Sequence, residues 1–537
     1  MSVAPARTAE WRRRVWCCLL IVFSCALQCA PAFSLEKKDA GAIGTAAPEL
    51  TGGVGWLNTD KPLTLKELRG KIVILDFWTF CCINCMHVLP QLHELEKKFP
   101  HELVIVGVHS GKFSNEKQDD PIRKAILRYG IEHPVVNDAE MKLWNAYNVK
   151  AWPTLVLIDP DGNISAVRSG ETVSPFFDTG IRHLIDVYGK SGKLDHRPVH
   201  FALEKDKIAQ SPLSFPGKIA ADPASKRLFI SDSGHNRIIV ASTDGRVKDV
   251  IGSGASGSAN GTYAQASFRH PQGLVYADGK LYVADTENHL IRLIDLQAKT
   301  VKTIAGTGVQ GDRSMRPLQP TEAVRVPLNS PWDVTLIGRA LYIAMAGAHQ
   351  LWRMDLDKST VGVYAGTGNE SIIDGPAVHA NLAQPSGITT DGKNLYFADS
   401  EVSAIRKDDI PDNDQITTIV GGIGLFDFGD KDGDNKTARL QHPLAVLWHN
   451  GKLYVADSYN HKIKIVDPVN RTIATLCGSG KPGFADGKNP QFSEPGGLAA
   501  VGNTLYIADT NNSKIRTIDL KTKTVGTLNL TGFPKSK

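Results

Sequence analysis

One pattern constrains the fold of this chain more than any other: a short apolar strand ending in aspartate recurs along its C-terminal part. In the second copy this strand reads Leu-Tyr-Val-Ala-Asp, and other short segments bounded by turn residues accompany it. Successive copies lie 52 to 60 residues apart. The six copies occupy 228–232, 281–285, 341–345, 395–399, 453–457 and 505–509. Four strands per repeat at this period predict a propeller blade, and six blades close a ring.

The third copy departs from the pattern in two ways. Met345 stands where the other copies have aspartate, and Gly347-Ala348-His349 replaces the more polar turn that follows them. Because the aspartates recur blade after blade, they indicate structural turns and hydrogen bonds between blades rather than a binding site. The same structural interpretation is given to the arginines that recur with them: Arg237, Arg292, Arg353, Arg406 and Arg516.

The sequence before the repeats follows a different pattern. Residues 72–78 and 103–108 are apolar enough for buried strands, and 86–99 has apolar residues at helical spacing. This alternation of strands and helices predicts an α/β domain around a mixed sheet. The predicted organisation is a signal peptide at 1–32, a flexible leader at 33–54, the α/β domain at 55–189, a polar Gly-rich linker at 190–198 and the propeller at 199–537.

The N-terminal segment has the composition of a targeting signal. Arg12, Arg13 and Arg14 precede an apolar stretch that is short for a membrane span, and Ala30-Pro31-Ala32 matches a small-residue cleavage site. We therefore predict a secretory signal peptide, with an uncleaved membrane anchor as the alternative. Cleavage implies an exported protein, periplasmic or extracytoplasmic if bacterial, with no stable membrane insertion.

The net charge and the number of cysteines limit the classes of function open to this chain. The net charge is +5, but residues 1–32 hold four arginines and one glutamate, so the remainder carries only +2. So small a basic excess argues against nucleic-acid binding. Beyond residue 32 the cysteines are Cys81, Cys82, Cys85 and Cys477. These are too few for a disulfide scaffold in so long a chain, so the cluster of three needs a chemical explanation.

The cluster lies where a predicted strand ends and a helix begins, and residues 76–85 read Asp-Phe-Trp-Thr-Phe-Cys-Cys-Ile-Asn-Cys. We expect Cys82 at the helix N-terminus, where the helix dipole and free backbone N–H groups favour a thiolate. Cys85 follows one turn inside the helix, where its thiol can resolve a mixed disulfide on Cys82. The spacing therefore predicts a redox disulfide between Cys82 and Cys85.

These residues resemble the thioredoxin fold, especially exported thioredoxin-like proteins, over about 45–190. The resemblance implies that Asp76 is the buried acid that accepts a proton from Cys85. It also implies that Trp152-Pro153-Thr154 is the cis-proline loop, which binds the substrate backbone.

The later repeats resemble NHL repeats over about 211–530. A thioredoxin-like domain with Cys-Cys-Ile-Asn-Cys joined to such repeats resembles the NHL repeat-containing protein 2 family. The resemblance implies an α/β thioredoxin-like domain followed by an all-β, six-bladed NHL-type β-propeller.

Two residues beside the motif take accessory positions. Trp78 ends the strand, and Cys81 is either a packed spectator, which we favour, or a third redox partner. Cys81 and Cys85 also have the spacing of copper-delivery proteins of the thioredoxin fold, with His109 or His133 available as a further ligand. Copper therefore stays an alternative, while the prediction itself includes no metal and no cofactor.

We predict an extracytoplasmic thiol–disulfide oxidoreductase whose propeller recruits or positions a protein partner. Its partners are then a protein at the propeller face and a thiol–disulfide exchange partner. The alternative is a binding or scaffold protein, in which the propeller carries the function and the thioredoxin-like domain docks or senses redox state. A third and weaker possibility is an enzyme with a metal in the propeller channel.

Overall fold

The computed structural model describes residues 43–209, 211–312, 319–410 and 414–534, which form a thioredoxin-like α/β domain and a six-bladed β-propeller. Both predicted fold classes are confirmed. The predicted signal peptide at 1–32 lies outside the described residues. Within the described ranges, no helix is both long and apolar enough to cross a membrane.

The α/β domain is built around one six-stranded sheet in the order β1-β4-β3-β2-β5-β6. Its strands are β1 (Gly55–Leu57), β2 (Ile72–Trp78), β3 (Leu103–His109), β4 (Val135–Asn137), β5 (Thr154–Ile158) and β6 (Ile164–Ser169). Its helices are α1 (Ile83–Lys98), α2 (Asp119–Tyr129), α3 (Lys142–Ala146) and α4 (Ser174–Lys190). The central strands β2 and β3 are parallel and buried along their whole length, because apolar side chains pack on both faces of the sheet.

The segments flanking this domain lie along its surface. Leu50, in the predicted leader, is buried in the core beside the sheet. In the predicted linker, the backbone N–H of Asp195 donates to the carbonyl of Gly70 at 2.8 Å. The buried Lys71 ammonium also donates to the Asp195 carbonyl, at 2.7 Å. Further along, the N–H of Glu204 donates to the side chain of Asn58. The connection to the propeller therefore follows the α/β domain closely.

The first three blades begin after this connection. Blade 1 contains β7 (Ile219–Asp222), β8 (Arg227–Asp232), β9 (Arg237–Ser242) and β10 (Val247–Ile251). Blade 2 contains β11 (Gly261–Thr262), β12 (Pro271–Ala277), β13 (Lys280–Asp285), β14 (Leu290–Asp295) and β15 (Thr300–Ala305). Blade 3 contains β16 (Thr321–Glu322), β17 (Pro331–Ile337), β18 (Ala340–Met345), β19 (Gln350–Asp355) and β20 (Thr360–Ala365).

The last three blades repeat the same antiparallel arrangement. Blade 4 contains β21 (Gly375–Pro376), β22 (Pro385–Thr390), β23 (Leu395–Asp399), β24 (Ala404–Asp409) and β25 (Gln415–Gly421). Blade 5 contains β26 (Gly433–Asp434), β27 (Ala445–His449), β28 (Lys452–Asp457), β29 (Lys462–Asp467) and β30 (Thr472–Cys477). Blade 6 contains β31 (Pro495–Val501), β32 (Thr504–Asp509), β33 (Lys514–Asp519) and β34 (Thr524–Leu528).

The recurring aspartates of blades 2, 4, 5 and 6 each pair with a basic residue of their own blade, so the prediction that they bond between blades is wrong for these pairs. In blade 2 the buried Asp285 carboxylate pairs with Arg292 at 2.8 Å. Blades 4 and 6 repeat this pair seven residues apart, and blade 5 substitutes lysine for arginine. In blade 3, Met345 and Trp352 occupy the two positions. The grouping of Arg353 with the other arginines is therefore wrong, because its neighbour Trp352 takes the inward position and Arg353 is exposed.

Two sets of residues give the propeller its face toward the α/β domain. The first long strand of each blade starts just after a residue with φ between 45° and 60° that precedes a proline. We call these residues the pre-proline positions: Phe215, His270, Ser330, Gln384, His442 and Glu494. A 3-10 turn follows the second long strand of each blade, and we call these the upper turns: Ser233–His235, Thr286–Asn288, Ala346–Ala348, Ser400–Val402, Ser458–Asn460 and Thr510–Asn512.

The ring closes through the segment after blade 6. The N–H of Val247, at the outer edge of blade 1, donates to the Thr531 carbonyl at 2.9 Å, and the N–H of Thr531 donates to Gly245. Across the centre of the ring, the buried Lys218 ammonium lies 3.5 Å from Asp333 and donates to the Ser386 carbonyl. One side chain of blade 1 therefore bonds to blades 3 and 4.

Candidate redox site

The two motif cysteines lie at the start of α1. Cys82 is the N-cap residue and is half-buried, while Cys85 is buried one turn inside the helix. Both are free thiols. The N–H groups of Cys85 and Met86 donate to the Cys82 carbonyl, so the helix closes directly after Cys82. The geometry thus presents one partly accessible thiol above one protected thiol.

Asp76 lies under this helix on β2, with both carboxylate oxygens buried. Neither oxygen has a hydrogen-bond partner among the described residues. Burial raises the pKa of Asp76 to about 7, although His133 acts in the opposite direction. Burial, contact with Cys82 and the charge of Asp76 together hold the pKa of the Cys85 thiol well above its usual range. Asp76 can therefore accept a proton from Cys85 near neutral pH.

A second buried acid, Glu116, lies beside Cys81 and was missed from the sequence. Its carboxylate accepts the N–H of Cys81 at 2.8 Å and those of Lys112 and Phe113 at 3.0 and 2.9 Å. Burial raises the pKa of Glu116 to about 7. Burial and the nearby Glu116 raise the pKa of the Cys81 thiol well above its usual range. Glu116 therefore organises the backbone before the motif, which no local sequence signal indicates.

The cis-proline loop and Trp78 complete the surroundings. The Trp152–Pro153 peptide bond is cis, as the resemblance implies. Trp152 donates from its indole nitrogen to the Ser110 carbonyl at 2.9 Å. Trp78 is buried and packs edge-on against His109, with ring centroids 4.9 Å apart. Both tryptophans thus belong to the packed wall of the site.

The propeller contributes a side chain to the redox loop itself. Gln384, the pre-proline residue of blade 4, accepts the N–H of Ile83 at 3.0 Å through its amide oxygen. Its amide nitrogen donates to the Cys81 carbonyl at 2.8 Å. The two bonds flank Cys82 on both sides, so the loop is held by a residue about 300 positions away in the chain. One N–H at the N-terminus of α1 is thereby directed to Gln384.

Buried ion pairs fix the domains around this contact. Lys112 pairs with Glu401 in the blade 4 upper turn, and both side chains are at most 6% exposed. Arg128 on α2 pairs with Glu494, the blade 6 pre-proline residue, at 2.7 Å. Burial alone would raise the pKa of Glu401, but Lys112 and His442 outweigh it, so the pKa lies below its usual range.

Aromatic residues fill the space between these ion pairs. Tyr459 of the blade 5 upper turn packs against Phe80 and Phe113, with ring centroids 5.5 and 5.6 Å apart. Phe113 also contacts Phe428 at 4.7 Å. In blade 3, α1 packs against the Ala346–Ala348 turn. The small residues that break the repeat pattern there leave room for the helix.

A cleft of about 800 Å³ remains beside the contact area. One wall is formed by α1, the end of α2 and the residues after β6. The other is formed mainly by the pre-proline positions of blades 1 to 3 and the upper turns of blades 1, 2 and 6. Ile83, next to Cys82, reaches the cleft, so the redox loop lies at its edge. His87 crosses it, with ring nitrogens 2.5 Å from Glu171 and 2.7 Å from Ser330.

Comparisons with known proteins agree with this architecture. A thioredoxin-like family model matches residues 70–164, and an NHL repeat model matches residues 268–292. NHL repeat-containing protein 2 of Bos taurus is 44% identical over 91% of this chain and 72% of its own length. Protein SUPPRESSOR OF QUENCHING 1, chloroplastic, of Arabidopsis thaliana is 46% identical over 90% of this chain and 47% of its own. Thiol-disulfide oxidoreductase ResA of Geobacillus kaustophilus is 34% identical over 25% of this chain and 73% of its own.

These relatives overturn the predicted location. The prediction of an exported, periplasmic or extracytoplasmic protein is wrong, because the relatives that match most of the chain are eukaryotic and one is chloroplastic by name. The error arose from the composition of residues 1–32. Basic, acid-poor, apolar N-terminal segments are shared by several targeting systems, so composition alone did not separate them.

Proposed function

Because this chain belongs to the NHL repeat-containing protein 2 family, we propose that its thioredoxin-like domain is a thiol–disulfide oxidoreductase acting through Cys82 and Cys85. The observation that carries the proposal is the stacking of three groups. A half-buried thiol caps α1, a buried thiol follows one turn later, and Asp76, an acid with no hydrogen-bond partner among the described residues, lies beneath. A relative named as a thiol-disulfide oxidoreductase matches over the same domain and supports the assignment.

In the proposed reaction, the Cys82 thiolate attacks one sulfur of a substrate disulfide and expels the other as a thiolate. Cys85 loses its proton to Asp76 and attacks the Cys82 sulfur of the mixed disulfide. The Cys82–Cys85 disulfide forms, the second substrate thiolate leaves, and two electrons pass to the substrate. Pro153, in the cis-proline loop, aligns the substrate backbone. A thiol reductant then returns the enzyme to its dithiol form, and the same steps run in reverse during oxidation.

The propeller, in this proposal, positions a protein partner while it holds the redox loop. The cleft at the edge of the loop supports this, because residues of blades 1 to 3 share it with α1. Cys81 stays a packed spectator, since its thiol is buried and its backbone is bonded by Glu116 and Gln384.

The test is a trapping experiment with the full chain. Cys85→Ser removes the resolving thiol, so a mixed disulfide on Cys82 accumulates when a disulfide-containing peptide is added. We expect one peptide per chain on Cys82 by mass spectrometry, and its release by dithiothreitol. Cys81→Ser is the matched control and should turn over like the unsubstituted protein. No adduct on a correctly folded Cys85→Ser protein would contradict the proposal.

A scaffold role is the second candidate, and one observation favours it. The propeller bonds on both sides of Cys82 through Gln384 and buries ion pairs beside it, as a docking element would. A scaffold predicts no covalent adduct, and an unchanged set of non-covalent partners when Cys82 and Cys85 are both replaced by serine. The trapping experiment separates the two.

A further inference from the structure

A group of buried polar atoms lies under α1 around Asp76, beyond the reacting residues. Besides the Asp76 oxygens, Trp78 Nε1 and His133 Nε2 have no hydrogen-bond partner in the described part of the chain. All three side chains are nearly inaccessible to solvent, with His133 3% exposed. Buried polar atoms are rarely left unbonded, so such a group needs an explanation.

Gly107 lies between these atoms, and its lack of a side chain lets them approach one another closely. It pairs with Asp76 in the parallel register of β2 and β3. A Cβ atom at position 107 would lie 2.9 Å from Trp78 Nε1 and 3.5 Å from His133 Nε2, so both nitrogens face the spot where glycine has no side chain. An electrostatic interaction with His133 also lowers the pKa of Asp76, which shows that the two groups are close enough to interact. Together these polar atoms are the hydrogen-bond partners that a bridging water molecule uses.

From His133 a hydrogen-bonded route leads outward. Its other ring nitrogen, Nδ1, lies 3.0 Å from a carboxylate oxygen of Glu96 on α1, whose side chain is 24% exposed. An ionised carboxylate only accepts, so Nδ1 carries the hydrogen, and Nε2 is the ring nitrogen that faces inward. A surface pocket of about 190 Å³ is lined by both Glu96 and His133, with His93 at its wall.

We propose that His133 and Glu96 relay protons between Asp76 and solvent during thiol–disulfide exchange. The inference rests on the proposed function of Cys82 and Cys85. When Cys85 attacks, its proton moves to the Asp76 carboxylate, which is sealed from solvent, and the relay carries this proton away during the same resolving step. The proton passes through a water molecule beside Gly107 to His133 Nε2, the Nδ1 proton passes to Glu96, and Glu96 releases it to the pocket.

The groups around this route are suited to it. On α1, Cys85 acts on Asp76, and Glu96 and His93 lie further along the same helix. His109, on β3, packs against Trp78. Burial lowers the pKa of His109 to about 3, so it stays neutral and does not compete for the proton. The ordinary alternative is that the His133–Glu96 bond only ties α1 to the loop before β4.

The test follows the two thiol steps separately in the full chain. With dithiobis(nitrobenzoate) as the disulfide, attack by Cys82 releases one coloured thiolate and resolution by Cys85 releases the second. For His133→Gln we expect an unchanged first release and a second release slowed about tenfold or more, as removal of an acid–base group gives. Glu96→Gln should slow the same step. His183→Gln, on the exposed side of α4, is the matched control and should behave like the unsubstituted protein.

Chemical rescue distinguishes the relay from a structural role. Imidazole is small enough for the pocket beside Glu96, so it should restore the second release of His133→Ala but not of Asp76→Asn. An unchanged second release in both His133→Gln and Glu96→Gln overturns the relay, and so does slowing that imidazole fails to relieve. If the unsubstituted protein releases no thiolate, the proposed function itself fails, and that result is distinct from either of these. Glu96→Gln provides the measurement if the His133 variants do not fold.

Discussion

Blades 2 and 4 share one internal framework but face the α/β domain in different ways. In both blades a buried aspartate pairs with an arginine at 2.8 Å, seven residues further along the chain. At the pre-proline position, blade 4 has Gln384, which bonds to the redox loop, whereas blade 2 has His270, which lines the cleft. At the middle of the upper turn, blade 4 has the buried Glu401 and blade 2 the partly exposed Glu287.

The difference shows which positions of a repeat carry function. Residues that recur in most blades, such as the buried aspartates, build the ring. Residues that change from blade to blade make the contacts with α1, α2 and the redox loop. Blade 3 fits this division, because its unusual Ala346–Ala348 turn lies against α1. A deviation from the repeat pattern is therefore a better guide to the interface than the pattern itself.

The largest effect is expected at the upper turns. Glu401→Ala leaves the Lys112 ammonium buried without its partner, and we expect a loss of about 3–5 kcal/mol in the free energy of unfolding. Glu287→Ala, the same position in blade 2, removes a partly exposed pair with Arg269 and should cost less than about 1 kcal/mol. Urea unfolding measures both losses. If they are equal, the blade 4 upper turn contributes no more to the interface than the blade 2 upper turn does.

The same pair makes the interface sensitive to acid. Because the pKa of Glu401 is lowered in the folded protein, the unfolded chain takes up this proton at a higher pH than the folded one. The stabilisation is therefore complete above the ordinary glutamate pKa and is lost as the pH falls through the lowered value. Unfolding measured across this range should bring Glu401→Ala and the unsubstituted protein closer together at low pH.

The framework should respond equally in both blades. Asp285→Asn and Asp399→Asn each replace a charged hydrogen bond to a buried arginine with a neutral one, and we expect about 1.5–3 kcal/mol of destabilisation in either case. Thermal unfolding of the two variants tests this. A clear excess in blade 4 would mean that the framework also takes part in docking.

The smallest effect is expected at the pre-proline positions. Gln384→Ala removes two buried hydrogen bonds to the redox loop, so we expect roughly 1–2 kcal/mol of destabilisation and altered reactivity of Cys82 toward a small disulfide. His270→Ala, which changes only the cleft wall, should leave the rate of attack by Cys82 unchanged. If Cys82 reacts at the same rate in the two variants, Gln384 has no influence on the reactivity of Cys82.

Much of the fold was predictable because its signals are local. The apolar segment of β2 was predicted with its exact limits, since every residue of it is buried. The apolar segment predicted at 103–108 likewise forms β3, which extends one residue further to His109. The three-residue strands β1 and β4 were not predicted, because so short a segment has no period of its own. The predicted domain limits, with a linker at 190–198, stay a proposal.

The candidate site divides in the same way. Cys82 and Cys85 were predictable because they share one turn of helix, and Asp76 precedes them on the adjoining strand. Their partners are distant in sequence: Gln384 reaches the loop from blade 4, and His133 reaches the space beside Gly107 from the loop before β4. Such contacts exist only once the chain has folded, so spacing along the sequence could not indicate them.

The closure of the ring by Thr531 has a consequence for how the protein is made. Synthesis proceeds from the N-terminus, so the α/β domain can fold while blades are still missing. Blade 1 is the first blade to leave the ribosome, yet β10 pairs with Thr531 only after nearly 300 further residues have followed. Until then its edge is open to pairing with other chains. The interval between the two events is the period in which a nascent chain most needs protection from aggregation.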